Sequence, residues 1–240
     1  MQKTIVIVGG SGSIGKSIAE EVIKKGFVPY LIGRNFSSLS DLSKKLNCKF
    51  SKADVSNNEE FEDALKKTDD TVHGLAYCAG SIDLKPLSSS HPNDYIESFK
   101  VNTIGAAMAA KYLKNTLTKN KGSIIFFSSI AASQGFPNHT IVATSKGAIE
   151  SLTVSLAADF APEIKVNCIA PSLTETGMTT SIISNPSIKK AIENLHPIPR
   201  LGQPRDHGKL ATYLLCEPNN WITGQIFNVD GGRSTIRKKG

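Results

Sequence analysis

The chain has 240 residues, 40% apolar and 20% charged, with a net charge of +7. It is long enough to bury a large core unaided. Its basic residues are scattered apart from Arg237, Lys238 and Lys239, which favours anionic ligands without any nucleic-acid recognition motif. The four cysteines form no C-x-x-C pair, which argues against a zinc or redox motif. No signal-like or membrane-length apolar segment occurs, so the expectation is a cytoplasmic protein with neither nucleic acid nor membrane as partner.

In chain order, Thr4–Val8 is a short apolar, β-branched run suited to a strand buried on both faces. A Gly/Ser turn leads into a helix over 14–25, closed by Gly26. A strand over 28–32 and a helix over 36–46 follow, then a strand over 50–55 and a helix over 58–67. The next strand covers 73–78, a long helical region covers 94–118, and a fifth strand covers 122–127. A helix over 141–160 and a strand over 164–170 precede a Pro-, Ser- and Thr-rich stretch, residues 171–204, expected to be a partly helical substrate lid. A helix over 206–216 and a strand over 225–229 end the series. Such alternation predicts one α/β domain over 1–240. It is of the Rossmann type, with a doubly wound parallel sheet of about seven strands and helices on both faces.

The first turn reads Val8-Gly9-Gly10-Ser11-Gly12-Ser13-Ile14-Gly15. Between a strand and a helix, Gly9 allows a tight turn, Gly12 a close approach of backbone to a pyrophosphate, and Gly15 close packing of the helix. The amides of Ser13, Ile14 and Gly15 at a helix start add a positive dipole end for phosphate. The second strand ends Gly33-Arg34-Asn35, without the carboxylate that usually holds an NAD ribose. Arg34 suits a 2′-phosphate, helped by Lys16, so NADP(H) is preferred over NAD(H).

These features resemble the short-chain dehydrogenase/reductase family in its compact single-domain form, over nearly the whole chain. The family's Gly-x-x-x-Gly-x-Gly falls on Gly9, Ser13 and Gly15, with Ser in the middle place. Asp54-Val55 is similar to the adenine-contacting pair, and Cys78-Ala79-Gly80 to Asn-Ala-Gly with its Asn replaced. Asn102 matches the Asn whose backbone supports a water near the family's lysine. Pro171-Ser-Leu-Thr-Glu-Thr176 matches the element under the nicotinamide, with Ser172 in place of Gly. Arg200-Leu-Gly202, Gly224-Gln225 and Asp230-Gly231-Gly232 are similar to the C-terminal signature.

The resemblance implies catalysis by Asn102, Ser129, Lys146 and a tyrosine four residues before that lysine. That position is Val142, and none of the five tyrosines lies near it in sequence. Lys146 retains the implied bond to the nicotinamide ribose. Ser129 and Lys146 also form a pair suited to acyl transfer, but both are equally well explained as cofactor-site residues.

Two readings stay open. One is an NADP(H)-dependent oxidoreductase acting on a small carbonyl or alcohol substrate. Its altered proton donor would be His139, three residues before Val142, although His139 also reads as a cap residue beside Asn138. The other is a catalytically weak or inactive NADP-binding pseudoenzyme, serving as sensor or scaffold. The resemblance further implies a homodimer or homotetramer built through the two long helices. There Ala106, Ala107, Ala109 and Ala110 would permit close approach, as they would also within one chain.

Overall fold

The computed structural model describes residues 2–237, so Lys238 and Lys239 of the basic tail lie outside the described residues. Seven parallel strands form one sheet in the order β3-β2-β1-β4-β5-β6-β7. They are β1 (Thr4–Val8), β2 (Val28–Gly33), β3 (Lys49–Lys52), β4 (Val72–Tyr77), β5 (Ser123–Phe127), β6 (Lys165–Pro171) and β7 (Ile226–Val229). The helices are α1 (Ser13–Lys24), α2 (Phe36–Leu46), α3 (Asn58–Lys66), α4 (Pro92–Phe99), α5 (Gly105–Lys119), α6 (Thr140–Phe160), α7 (Thr180–Ile183), α8 (Pro186–Asn194) and α9 (Pro204–Cys216).

The middle of the sheet is buried on both sides because β1, β4 and β5 are largely apolar at odd and even positions alike, whereas the edge strands β3 and β7 are more exposed. In β1, Ile5 and Ile7 point into a core shared with Ile18 and Val22 of α1, Leu39 of α2 and Leu214 of α9. Val6 and Val8 point into the opposite core, with Phe61 of α3, Leu113 and Leu117 of α5, and Ile149 of α6. This is the period-two alternation of a strand applied to a continuous apolar run. Removing one of the fully buried phenylalanines, Phe61 or Phe126, costs about 3–5 kcal/mol in such a core.

Helix caps set the element edges. Asn35 and Asn57 accept bonds from the amides of Ser38 and Glu60 at the starts of α2 and α3. Gly26, at φ +80°, closes α1. The long helical region contains a wide turn, Lys100–Ile104, between α4 and α5. The 171–204 stretch carries α7 and α8. Of the four alanines expected to serve helix approach, Ala106, Ala109 and Ala110 are wholly buried in the core of their own chain, and Ala107 is half-buried. Small residues let α5 sit close to the sheet, which consumes that face. Cys168 is a fully buried core residue, while Cys48, Cys78 and Cys216 are half-buried, and all four are free thiols. Among the described residues no helix is long and apolar enough to cross a membrane.

β1 and β4 are neighbours in the sheet, yet the chain leaves them toward opposite faces. A crevice opens beyond their C-terminal ends, where ligands bind in open α/β sheets.

Candidate functional site

A cleft of about 530 Å³ occupies that crevice. At one end lies the glycine turn. Gly9 has φ +78°, and a Cβ there would stand 2.7 Å from the Ala79 amide nitrogen. A Cβ on Gly15 would collide with the Gly9 carbonyl oxygen. These two positions therefore admit only glycine without rearrangement. The Gly9 amide donates to the Ile32 carbonyl at 2.8 Å and the Gly12 amide to the Gly9 carbonyl at 3.0 Å, fixing the loop. Gly12 is the N-cap of α1 and supplies no capping side chain, so the amides that open the helix face the cleft. The turn is thus a cradle that a side chain would fill, with the donors and dipole an anion requires. These residues fit the pyrophosphate of a dinucleotide.

Arg34 follows β2 and is 75% exposed, with Asp54 Oδ2 3.9 Å from its Nη1. Burial pulls the Asp54 carboxyl up, but bonds from the Ser56 hydroxyl and amide and the Arg34 charge hold it below its usual range. Val55 is partly buried against the core. Lys16 lines a separate hollow together with Glu20, Glu175 and Arg205.

At the other end of the cleft, Lys146 is buried on α6 and its Nζ donates to the Phe127 carbonyl at 2.8 Å. No carboxylate pairs with it among the described residues. Glu150, one turn further on, instead accepts from Ser128 Oγ at 2.8 Å. Burial without a counter-charge pushes the ammonium down to about 8. Asn102 lies in the wide turn and is wholly buried. Its amide nitrogen reaches the Ser98 carbonyl (3.0 Å) and Ser81 Oγ (3.2 Å), and its Oδ1 accepts from the Ser81 amide. A Cβ on Gly80 would meet both Asn102 Oδ1 and Lys146 Nζ, so Gly80 lets these two approach the end of β4. Cys78 stands where a side-chain amide would serve the family. Burial raises its thiol well above the usual value, leaving it neutral.

Ser129 Oγ accepts from the Ala131 amide at 3.2 Å. Its hydroxyl hydrogen remains available to the cleft. Val142 lines the cleft and is 3% exposed. It offers neither proton nor hydrogen bond. His139 is the N-cap of α6, as the cap reading expected, and it also lines the cleft. Its Nδ1 donates to the Pro137 carbonyl at 2.6 Å and its ring packs on Phe136. A carbonyl only accepts, so the neutral ring carries its proton on Nδ1 and presents Nε2 as an acceptor. It donates from Nε2 only as imidazolium.

The far wall follows β6. Pro171 and Thr176 line the cleft. Ser172 Oγ lies 2.9 Å from His196 Nε2, and His196 Nδ1 donates to the Ile192 carbonyl. Thr174 Oγ1 lies 2.8 Å from His207 Nε2 on α9, while His207 Nδ1 is buried without a partner among the described residues. Burial depresses His207 to about 4. Arg233, just after the C-terminal glycines, reaches Ser172 Oγ and covers the Phe136 ring at 5.0 Å. Sequence reasoning missed Phe136, His196, His207 and Arg233. Only Arg233 carried a signal, its place beside Asp230-Gly231-Gly232.

Gly9, Gly12, Ser13, Ile14, Gly15, Gly80, Ser129, His139, Val142, Lys146, Pro171 and Thr176 thus line one cleft. Asn102 supports it from behind. Arg34 and Asp54 stand outside it beyond β2, and Ala79 meets it only through its backbone against Gly9. Among the described residues no cluster suited to a metal ion occurs.

Comparison with known proteins bears on the family of the chain. A family model described as enoyl-(acyl carrier protein) reductase matches residues 9–234. A tropinone reductase homolog of Datura stramonium is 33% identical over 95% of this chain and 91% of its own length. Carbonyl reductase family member 4 of Danio rerio is 29% identical over 97% of this chain and 98% of its own. The solved structure of ElxO with NADP bound superposes with a TM-score of 0.90 at 28% identity, covering 98% of this chain and 100% of that one. With its sheet order, its glycine turn and a match across almost its full length, the chain belongs to the short-chain dehydrogenase/reductase family of oxidoreductases.

Proposed function

We propose that the protein is an NADP(H)-dependent oxidoreductase that interconverts a small carbonyl compound and its alcohol, with a proton donor other than tyrosine. The observation that carries this reading is the continuous cleft from the glycine turn to Lys146, with Arg34 at the end of β2 where an acid would select NAD. The bound cofactor of the relative ElxO is consistent with it.

When bound, NADPH supplies a hydride for the carbonyl carbon. The chain's own residues do the rest. Gly9, Gly12 and the amides of Ser13, Ile14 and Gly15 hold the pyrophosphate. Arg34 pairs with the 2′-phosphate, and Asp54 and Val55 flank the adenine. Lys146 holds the ribose hydroxyls, while Ala79, Gly80, Pro171 and Thr176 border the nicotinamide. Ser129 donates its hydroxyl hydrogen to the substrate oxygen, stabilising charge that develops there. Asn102 keeps Ser81 and the wide turn in place behind Lys146. His139, as imidazolium, delivers the proton from Nε2 and returns to the neutral Nδ1–H tautomer that Pro137 already stabilises. The 171–204 segment, with α7 and α8, acts as the substrate lid. The protein self-associates as a dimer or tetramer, for which the end of the wide turn before α5 and the outer face of α6 leave Ile104 and Val154 exposed.

Calorimetric titration with NADPH and NADH, followed by turnover of a carbonyl panel, tests this reading. Tighter NADPH binding that Arg34→Asp narrows or reverses is the expected result. Equal affinities in the parent would refute the cofactor assignment. A second reading, a cofactor-holding pseudoenzyme, is favoured by Val142, an apolar side chain in the acid's place. A tyrosine-to-phenylalanine variant of ElxO was solved with NADPH bound, so loss of a tyrosine there is compatible with holding the cofactor. Under this reading NADPH binds, nothing turns over, and His139→Ala changes nothing.

A further inference from the structure

The wall of the cleft beyond β6 holds a cation that the cofactor reading does not use. Arg233 is half-buried, and no Asp or Glu pairs with it among the described residues. The near carboxylate, Asp230, is already engaged. Its Oδ1 accepts from the Gly232 amide at 2.9 Å and its Oδ2 from the Ser234 amide at 2.8 Å. It therefore clamps the backbone on either side of Arg233 and leaves the guanidinium to the cleft. Gln134 Nε2 ties down the Ser234 carbonyl at 2.8 Å.

The side chain is equally constrained. The guanidinium covers the Phe136 ring at 5.0 Å, and Phe136 also packs against His139 at 5.3 Å. Among the described residues its one side-chain hydrogen bond is long, from Nη1 to Ser172 Oγ at 3.4 Å. Among the described residues four of the five guanidinium hydrogens have no partner, in a position where water access is reduced. Burial lowers Arg233 from its usual value, against the raising effect of the nearby Asp230 charge. Elsewhere, apart from Lys146, which the cofactor reading uses, and His139, the cleft is apolar or neutral: Ile82, Leu84, Met178, Ile182 and Ile192 line it, and no acidic side chain does so among the described residues.

A guanidinium with no ion-pair partner among the described residues, held over Phe136, which itself packs against the residue proposed to deliver the proton, is a receptor for a planar anion. Resting on the oxidoreductase reading above, we propose that Arg233 recognises a carboxylate on the substrate, which is therefore an oxo acid or the matching hydroxy acid rather than a neutral ketone. The carboxylate binds the guanidinium fork while the carbonyl lies toward Ser129 and His139. On this assignment NADPH binds without Arg233.

The test uses NADPH-loaded protein and straight-chain 2-, 4- and 6-oxo acids, each beside its methyl ester. NADPH affinity is measured first, in the parent and in Arg233→Met and Arg233→Lys. Failure of NADPH to bind the parent would overturn the oxidoreductase reading, and the Arg233 assignment with it. With NADPH bound, calorimetry of the acids and esters reads the inference without requiring turnover. At least one acid is expected to bind the parent better than its ester. Arg233→Met is expected to weaken that acid by about 10- to 100-fold, the usual size of a charge-assisted bond, and to leave the ester and NADPH unchanged. Arg233→Lys, which keeps the charge but loses the fork, is expected to fall between. Where turnover occurs, the loss appears mainly in KM for the acid.

The proposal is overturned if no acid binds the parent better than its ester while NADPH binds. Equal losses for acid and ester in Arg233→Met would also overturn it, since they mark a purely structural tether to Ser172. A loss of NADPH affinity in Arg233→Met would overturn it as well and place the guanidinium on the cofactor.

Discussion

Val142 is buried where the family's resemblance implies a phenol, so restoring that phenol is a direct test of what the site lacks. Val142→Tyr places a hydroxyl one helical turn from Lys146. The larger ring enters a position shaped by valine, and overpacking of this kind costs about 1–3 kcal/mol. The variant should turn over carbonyl substrates faster than the parent and melt at a lower temperature, read by steady-state rates and calorimetry. His139→Ala should remove most parent activity yet leave Val142→Tyr active, because the proton would then come from the new phenol. Lys146 makes a second prediction, in the protein without cofactor. Its folded pKa of about 8 lies below the ordinary value of 10.5. Between these values the unfolded chain holds a proton that the folded chain lacks, so this group's contribution to stability rises with pH across the window. At pH 7 both states are charged and the folded state carries the whole cost of the buried cation. Lys146→Met should therefore raise urea stability at pH 7 by about 1–3 kcal/mol, less at pH 10, while weakening NADPH binding.

At the scale of elements, the glycine turn and α1 act as one piece. Gly15→Ala must push α1 away from the Gly9 carbonyl. The prediction is at least a tenfold loss of NADPH affinity with α1 still helical by circular dichroism, because alanine favours the helix that it displaces. α9 is tied to the segment after β6 through His207 and Thr174. His207 has a folded value of about 4 against an ordinary 6.5. In that window the unfolded chain takes up a proton that the folded chain refuses, so stability falls as pH drops from 6.5 to 4. The parent should lose roughly 2–4 kcal/mol from this group over the window. His207→Gln, whose amide can still reach Thr174, should flatten that fall in pH-dependent denaturation. Much of the element pattern was legible in the sequence, since β-branched runs and Gly26 are local signals. Inward packing of Ala106, Ala109 and Ala110 was not, because small residues serve a neighbouring helix and a neighbouring chain by the same close approach. Lys146, Ser129 and Val142 could be located by the family resemblance and the spacing that it implies. Arg233 could not: its position depends on β7 pairing with β6 and on the loop that carries Phe136, which are long-range outcomes of the fold.

For the whole molecule, the pairing of β1 with β4 joins strands that are far apart in sequence, Thr4 opposite Val72 and Val8 opposite Tyr77. The first three strands and their helices can organise locally, and so can the last four, but this seam requires a long loop to close first. The glycine turn, Gly80 and Lys146 come together only across the seam. NADPH at one hundred times its Kd should therefore stabilise the chain by about 2.7 kcal/mol, seen as a concentration-dependent rise in melting temperature. The protection from hydrogen exchange should be greatest at the ends of β1 and β4. A chain arrested before the seam closes would have two half-sheets and no dinucleotide pocket. The cofactor thus reports on completed assembly, and its concentration in the cell becomes a term in how much of this protein survives proteolysis.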